Sequence, residues 1–427
     1  MSQIMIPILL VLILLGIPLS IALAGAVLLA LIVSGDHPIF VIQRIFTGMN
    51  SFTLMAVPFF MLSGSLMSGG GVTKRLINLI NIMLRGIYGG LAIITSVASA
   101  FFGALTGSAP ATTTAIGSIM LPAMKNAGYD KGFALNCVAC SGFLGAIIPP
   151  SIVMVTYSVA ANVSVGDMFM AGIIPGILMC GVMCVYSYII GKKNKYRVED
   201  RASITAKEFA KHFLQALPAV FMPVIILGGI YGGICTPTEA GCLSVLYGFI
   251  IGFFVYKELK IKDLPKVFCD SARSTAMVLL IMGASTPFCL TLTMELIPQK
   301  VAAAMLAFSD NRFVFMLLVN VMLLVVGMFM EGNSSIAILA PILAPVAVAM
   351  NIDLVHFGII MCVNLLIGCI TPPLGLNLFV ACGIMGDTTK DVLNKYLVGF
   401  FAACLFGLAM IVLIPGLSTL LPNIAKG

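Results

Sequence analysis

The sequence has 427 residues, of which 60% are hydrophobic and only 9% charged, with a mean hydropathy of +1.14 and a formal net charge of +7. So few charges cannot cover the surface of a soluble protein of this length, so lipid must be the solvent for most of the chain. This excludes a soluble enzyme and a soluble nucleic-acid-binding module, and it predicts one all-α, polytopic integral membrane unit over residues 1–427.

Residues 4–33, 45–73, 86–124, 132–166, 168–191, 213–238, 274–294, 332–352, 354–386 and 396–425 contain no Asp, Glu, Lys or Arg. Each run reaches the roughly 20 residues that span a bilayer, whereas a β-barrel would show short alternating segments. The first run is read as a retained span and not a cleaved signal peptide. Residues 72–85 (VTKRLINLINIMLR) are amphipathic and too short to span, so they predict an interfacial arm joining a fixed part to a moving part. The same reading applies to 203–217 and 298–310.

Residues 86–124 would make about 58 Å of straight helix, nearly twice the hydrocarbon core. A polar break at Gly107–Pro110 turns them into a re-entrant hairpin. Residues 132–163 are likewise too long and carry Pro149-Pro150, which must break the helix. Two basic loops follow, 192–211 with Lys192, Lys193, Lys195, Arg197, Arg201, Lys207 and Lys211, and 257–273 with Lys257, Lys260, Lys262, Lys266 and Arg273. Both are predicted to be cytoplasmic; lying between membrane helices, they are not a nucleic-acid patch. A second hairpin is predicted at 313–350, its tip at Glu331–Ser335, and a second broken helix at 355–383 around Pro372-Pro373.

The second set repeats the first. An offset of 223 pairs Pro149-Pro150 with Pro372-Pro373, Gly145 with Gly368, Asp130 with Asp353 and Pro122 with Pro345, and lays TGSAPATT over FMEGNSSI. This predicts a first repeat at 50–190, a central scaffold with cytoplasmic loops at 191–272, and a second repeat at 273–421. Counting crossings from the basic loops makes the copies inverted, the architecture in which transporters build a midplane site from broken helices. Each break frees carbonyl oxygens for a cation and bares a helix N-terminus for an anion.

Other polar residues have plainer readings. The twelve cysteines, the Cys137–Cys140 pair included, read as small buried hydrophobes. Glu239 reads as the first turn of a helix capped by Thr236 or Thr238, Asp130 and Asp353 as helix starts, and His212 and His356 as packed or interfacial. No paired catalytic acids, HExxH or Ser–His set suggests an enzyme.

The hairpin repeats, with SGSLMSGGGVTKRL, GSAPATT, AGYDKGFA, IIPPSI, FMAGIIPG, CTPTEAG and ITPPLGLNLFV, resemble the large membrane subunit of tripartite ATP-independent periplasmic (TRAP) transporters over essentially the whole chain. The resemblance implies an elevator-type importer in the bacterial inner membrane, coupled to sodium and carrying an organic acid of the C4-dicarboxylate, sugar-acid or sialic-acid class. It also implies a small four-helix membrane subunit and a periplasmic substrate-binding protein as partners. Thr106, the APATTT run and Glu331 fit dicarboxylate and sugar-acid members better than the sialic-acid branch. Substrate contacts are expected from Thr106, Ser108, Ser151 and Glu331, and sodium near Ser108, Thr112, Gly145, Ile148, Ser335, Gly368 and Thr371. A single-component sodium/dicarboxylate carrier is the rival reading; an ion channel fits the inverted broken repeats less well.

Overall fold

Strings of Leu, Ile, Val, Ala and Phe punctuated by Gly and Pro specify helices that satisfy their own backbone in an apolar medium, and among the described residues all regular structure is helical. The computed structural model describes residues 2–35, 37–84, 86–196, 206–297, 299, 300, 303, 311–372, 375–386 and 389–426. Within them seven helices are long and apolar enough to cross a membrane, or up to nine if each of two bent pairs is one span.

The first charge-free run departs from expectation. It is two helices, α1 (Ser2–Leu14) and α2 (Leu19–Ser34), packed on each other. Gly16 takes a left-handed φ of 76° and Pro18 precedes α2 in an extended conformation, so one straight span cannot form. Next come α3 (Ile39–Met49) and α4 (Ala56–Gly69), bent by 63° where they join, and α5 (Val72–Met83), which buries Val72, Leu76 and Ile80 along one face.

The first hairpin is α6 (Gly90–Thr106) and α7 (Ala109–Asn126). The first broken helix is α8 (Lys131–Gly142), α9 (Leu144–Ile147) and α10 (Ile152–Ala161), bent by 46° at Pro149-Pro150. Then follow α11 (Val165–Lys193), α12 (Ala206–Tyr231), α13 (Pro237–Ile250, continued by a π-helical turn, Ile251–Val255) and α14 (Leu264–Met294).

Two further expectations are corrected here. Residues 206–217 are no separate arm; they are the first turns of α12, which continues to Tyr231 through Pro218 and Pro223. The basic loop at 257–273 is mostly helical. A 3-10 turn, Ile261–Asp263, leads into α14, whose first turns carry Lys266 and Arg273, with proline at the helix start. The arm expected at 298–310 lies largely outside the described residues.

The second hairpin is α15 (Arg312–Phe329) and α16 (Gly332–Ala349). After it come α17 (Leu354–Gly368), α18 (Leu376–Met385), the single turn α19 (Thr389–Val392), α20 (Lys395–Leu413) and α21 (Gly416–Lys426). Pro372 is described, but Pro373 and Leu374 are not, so the second Pro-Pro pair lies partly outside the described residues.

Asp130 and Asp353 start their helices as expected, accepting from the backbone of Phe133 and of Val355 and His356. Thr236 and Glu239 form a capping box on α13, while Thr238 donates to the Phe52 carbonyl. His356 is buried with Nδ1 2.6 Å from the Ser418 hydroxyl, and Cys137 and Cys140 are buried free thiols.

Hairpins and broken helices form one packed body. The first hairpin packs on α8 and α9, α15 on α17, α10 on α16 and α18 on α7. A second layer of α3, α4, α12, α13 and α14 stands beside it, with α1 and α2 joined to α14 through Leu23, Val27, Phe288 and Leu292.

Candidate functional site

The first hairpin tip is three residues long. Thr106 ends α6, Gly107 turns the chain at φ 62°, and Ser108 stands extended as the N-cap of α7. A Cβ on Gly107 would stand 2.8 Å from the Pro150 carbonyl oxygen. The Gly107 carbonyl instead accepts from the Ile152 N–H at 3.3 Å, so the tip is seated on the break of the neighbouring helix.

The hydroxyls here donate inward. Thr112 donates to the Ser108 carbonyl at 2.8 Å, and Thr106 lies 3.1 Å from the Thr112 oxygen. The same Thr112 oxygen lies where a Cβ on Gly145 would stand. Ser151 caps α10, accepting from Met154 N–H and donating to the Ala146 carbonyl. A hydroxyl that has committed its proton this way presents lone pairs elsewhere, the arrangement a hard cation needs from neutral oxygens.

The second tip repeats the plan with a carboxylate. Met330 is extended and Glu331 caps α16, its Oε2 accepting from the N–H of Asn333 (3.0 Å) and Ser334 (3.3 Å) and its Oε1 from Asn333 Nδ2 (2.6 Å). Ser335 donates to the Glu331 carbonyl at 3.1 Å and Thr371 to the Ile367 carbonyl at 2.9 Å. Gly332 lies between Leu366 of α17 and Val153 of α10, so the second tip touches both broken helices.

Matching contacts recur in the two halves, at an offset of 223 on the broken helices and 224 on the first arms of the hairpins. Gly103 crosses Gly145 as Gly327 crosses Gly368. The buried Ser96–Ser141 hydroxyl pair at 2.9 Å has its counterpart in Asn320–Asn364 at 2.6 Å.

A cavity of about 730 Å³ opens between the first tip and the second layer. Thr106 and Ser108 line one side; Gly64, Ser65 and Ser68 of α4 and Lys266, Asp270, Ser271 and Ser274 of α14 line the other. Of the four expected substrate residues, the structure brings Thr106 and Ser108 to this cavity. Ser151 is fully buried at the break, and Glu331 lies at the other tip. Of the positions expected near sodium, Ser108, Thr112 and Gly145 gather at the first tip, while Ser335 sits at the second tip and Gly368 and Thr371 at the second break. Ile148 stands at the first break, with its side chain against Gly176 of α11. Sequence reasoning missed the wall from α4 and α14. Its signal was present, in the closely spaced serines of SGSLMS and in polar residues spaced along the first turns of α14.

Among the described residues no three His, Cys, Asp or Glu side chains come together. The oxygens on offer at the first tip are hydroxyl and carbonyl, with the Glu331 carboxylate added at the second.

The family model described as the tripartite ATP-independent periplasmic transporter DctM component matches residues 6–417. Over 403 residues the chain is 42% identical to the isethionate TRAP transporter permease protein DctMQ of Oleidesulfovibrio alaskensis, covering 94% of this chain and 63% of that longer protein. It is 41% identical over 434 residues to the C4-dicarboxylate TRAP transporter large permease protein DctM of Rhodobacter capsulatus, covering 97% of each. It is 36% identical over 413 residues to the sialic acid TRAP transporter large permease protein SiaM of Vibrio cholerae, covering 96% of each. The solved YdaH transporter of Alcanivorax borkumensis shares the fold, with a TM-score of 0.66 over 88% of this chain and 87% of that one at 14% identity. With the family model matched over nearly its whole length, the chain belongs to the DctM component family of tripartite ATP-independent periplasmic transporters, as a multi-pass transport protein of the inner membrane and not an enzyme.

Proposed function

We propose that the chain is the large subunit of a sodium-coupled secondary importer that takes a small organic anion from a periplasmic binding protein and works with a small four-helix membrane subunit. The relatives are named for isethionate, C4-dicarboxylates and sialic acid, all anions carrying a sulfonate or carboxylate. A C4-dicarboxylate is the first substrate to test, given 41% identity over 97% of that relative. The observation that carries the reading is the first tip, seated on a broken helix through Gly107 and Ile152 while its hydroxyls face a cavity against a separate helical layer.

The two halves are read as inverted repeats, a reading supported by the 223-residue offset and the matching glycine and polar pairs. Hairpins and broken helices then move as one body past α4 and α12–α14, with α5 as a connecting arm, in an elevator cycle. The basic residues at 192–195 and 257–266 support a reading in which the cavity faces the cytoplasm and the conformation is open to the inside.

The test is uptake into proteoliposomes containing both membrane subunits, with binding protein and labelled succinate outside. Uptake is expected only with an inward sodium gradient and with the binding protein present. Equal uptake by this chain alone in sodium-free buffer would overturn the tripartite, sodium-coupled reading in favour of a self-sufficient carrier.

A further inference from the structure

A polar contact joins the first half of the chain to the second hairpin. Thr156, buried on α10 one turn past the break, holds its hydroxyl 3.1 Å from Asn333 Oδ1 and 3.0 Å from the Ile152 carbonyl. Asn333 Nδ2 in turn donates to Glu331 Oε1 at 2.6 Å. The amide can satisfy both partners in one orientation only. Flipped, it would set its oxygen against the carboxylate, so Glu331 fixes the amide's orientation and leaves Oδ1 facing the Thr156 hydroxyl. Thr156, donating to that oxygen, tethers the amide that holds Glu331.

The contact is not a requirement of the fold, because the other half does without it. Adding 223 to Thr156 gives Phe379, and the positions equivalent to Asn333 are Ala109 and Pro110. It is also releasable. The single hydroxyl proton can turn to the Ile152 carbonyl when Asn333 withdraws, so parting leaves no buried donor unpaired. A buried bond with no counterpart at the other tip, made to the amide that holds the only carboxylate at either tip, has its use at that carboxylate.

We infer that Thr156 is a positioning residue which, through Asn333, orients the Glu331 carboxylate for the coupling cation. This rests on the sodium-coupled reading above. The experiment compares wild type, Thr156→Val, which keeps the shape and loses the hydroxyl, and Thr156→Ser, which keeps the hydroxyl. Each is reconstituted as the complete complex, and the half-saturating sodium concentration, the maximal uptake rate and the melting temperature in choline chloride are measured.

Thr156→Val is expected to raise half-saturating sodium about fivefold to tenfold, the effect of one buried hydrogen bond. Its maximal rate should stay within about twofold and its melting temperature should fall by no more than about 2 °C, the cost of one bond in a chain of this size; Thr156→Ser should restore the wild-type titration. Sodium titrations unchanged in Thr156→Val, or shifted equally in Thr156→Ser, would overturn the inference, as would a shift that merely follows a larger fall in melting temperature. If Thr156→Val fails to insert, Asn333→Ala breaks the same contact from the other side, and an unshifted titration there is equally fatal. Sodium-independent uptake by the wild type is a separate outcome, which removes the coupled reading itself and the cation with it.

Discussion

Gly103 and Gly145 cross so closely that a Cβ on Gly103 would stand 2.0 Å from the Gly145 Cα. The obstacle is backbone, which cannot swing aside as a side chain would. Gly103→Ala must therefore push the first hairpin off its broken helix, and a loss of several kcal/mol is expected, as for overpacked cores (about 1–3 kcal/mol or more). Gly383 on α18 has open space around it, so Gly383→Ala should be neutral or stabilising by about 0.5–1 kcal/mol. Thermal denaturation of the two purified variants makes the comparison, and equal melting temperatures would refute the close crossing.

Ser108 and Thr371 stand beside one tip and one break. Ser108→Ala and Thr371→Ala are expected to leave membrane levels near wild type while raising the sodium needed for half-maximal uptake several-fold. Sodium titrations superimposable on wild type for both variants would place the cation elsewhere.

Glu331 is engaged by three donors from its own helix start. In Glu331→Gln one amide arm can still accept but the other meets Asn333 Nδ2 donor to donor, and the negative charge is gone. Uptake is expected to fall at least tenfold, with a stability loss near the 1 kcal/mol typical of a lost cap. Wild-type sodium-driven uptake by folded Glu331→Gln would make this acid purely a cap.

Arg75 on α5 donates to Glu258 at 2.6 Å and to the Gly71 carbonyl at 2.9 Å, and its guanidinium lies 3.9 Å from the Tyr256 ring centre. The ion pair is half-exposed and worth about 0.5–1 kcal/mol at most, whereas stacking on Tyr256 persists without it. Arg75→Ala should therefore destabilise more than Glu258→Gln, and a double-mutant cycle should return a coupling below about 1 kcal/mol. A larger coupling would mean that the pair is shielded from solvent in the assembled complex.

Tyr129, in the turn between α7 and α8, stacks on Tyr196 with ring centres 4.3 Å apart, and burial pushes its phenol up to about 12. A tyrosine whose folded value lies above its unfolded value of about 10 contributes stability below that value and loses it as pH climbs toward 12. Melting temperature should fall across pH 10 to 12, and Tyr129→Phe should reduce that slope while changing little at pH 7. An unaltered alkaline slope in Tyr129→Phe would assign the loss to other groups.

The sequence was most legible where chemistry leaves few options. Pro149-Pro150 had to break a helix, Gly107 had to turn one, and Asp130 and Asp353 could be read as helix starts from their place before apolar runs. It was least legible where continuity depends on tertiary packing. Gly16 and Pro18 split the first run because α1 and α2 find each other and α14, and no local rule forbade a single helix there with a kink. Lys266 reads as loop by its charge but rides on a helix beside the first tip, since basic side chains can extend from a helix end into water. The contact of Thr156 with Asn333 joins residues 177 apart, and only the folded chain brings them together.

The cavity beside the first tip has a further consequence. At about 30 Å³ per molecule of liquid water, its volume of about 730 Å³ has room for on the order of twenty waters. A polar solute at Thr106 and Ser108 can therefore trade each protein contact for a water contact one at a time, and leaving this face needs no dry intermediate. At the second tip, Gly332 lies beside Leu366 and Val153, and Asn333, Ser334 and Ser335 are buried. Wetting that face requires prising apart packed side chains before water can replace them. The two tips thus differ in solvation, one standing beside an open cavity and the other packed among side chains.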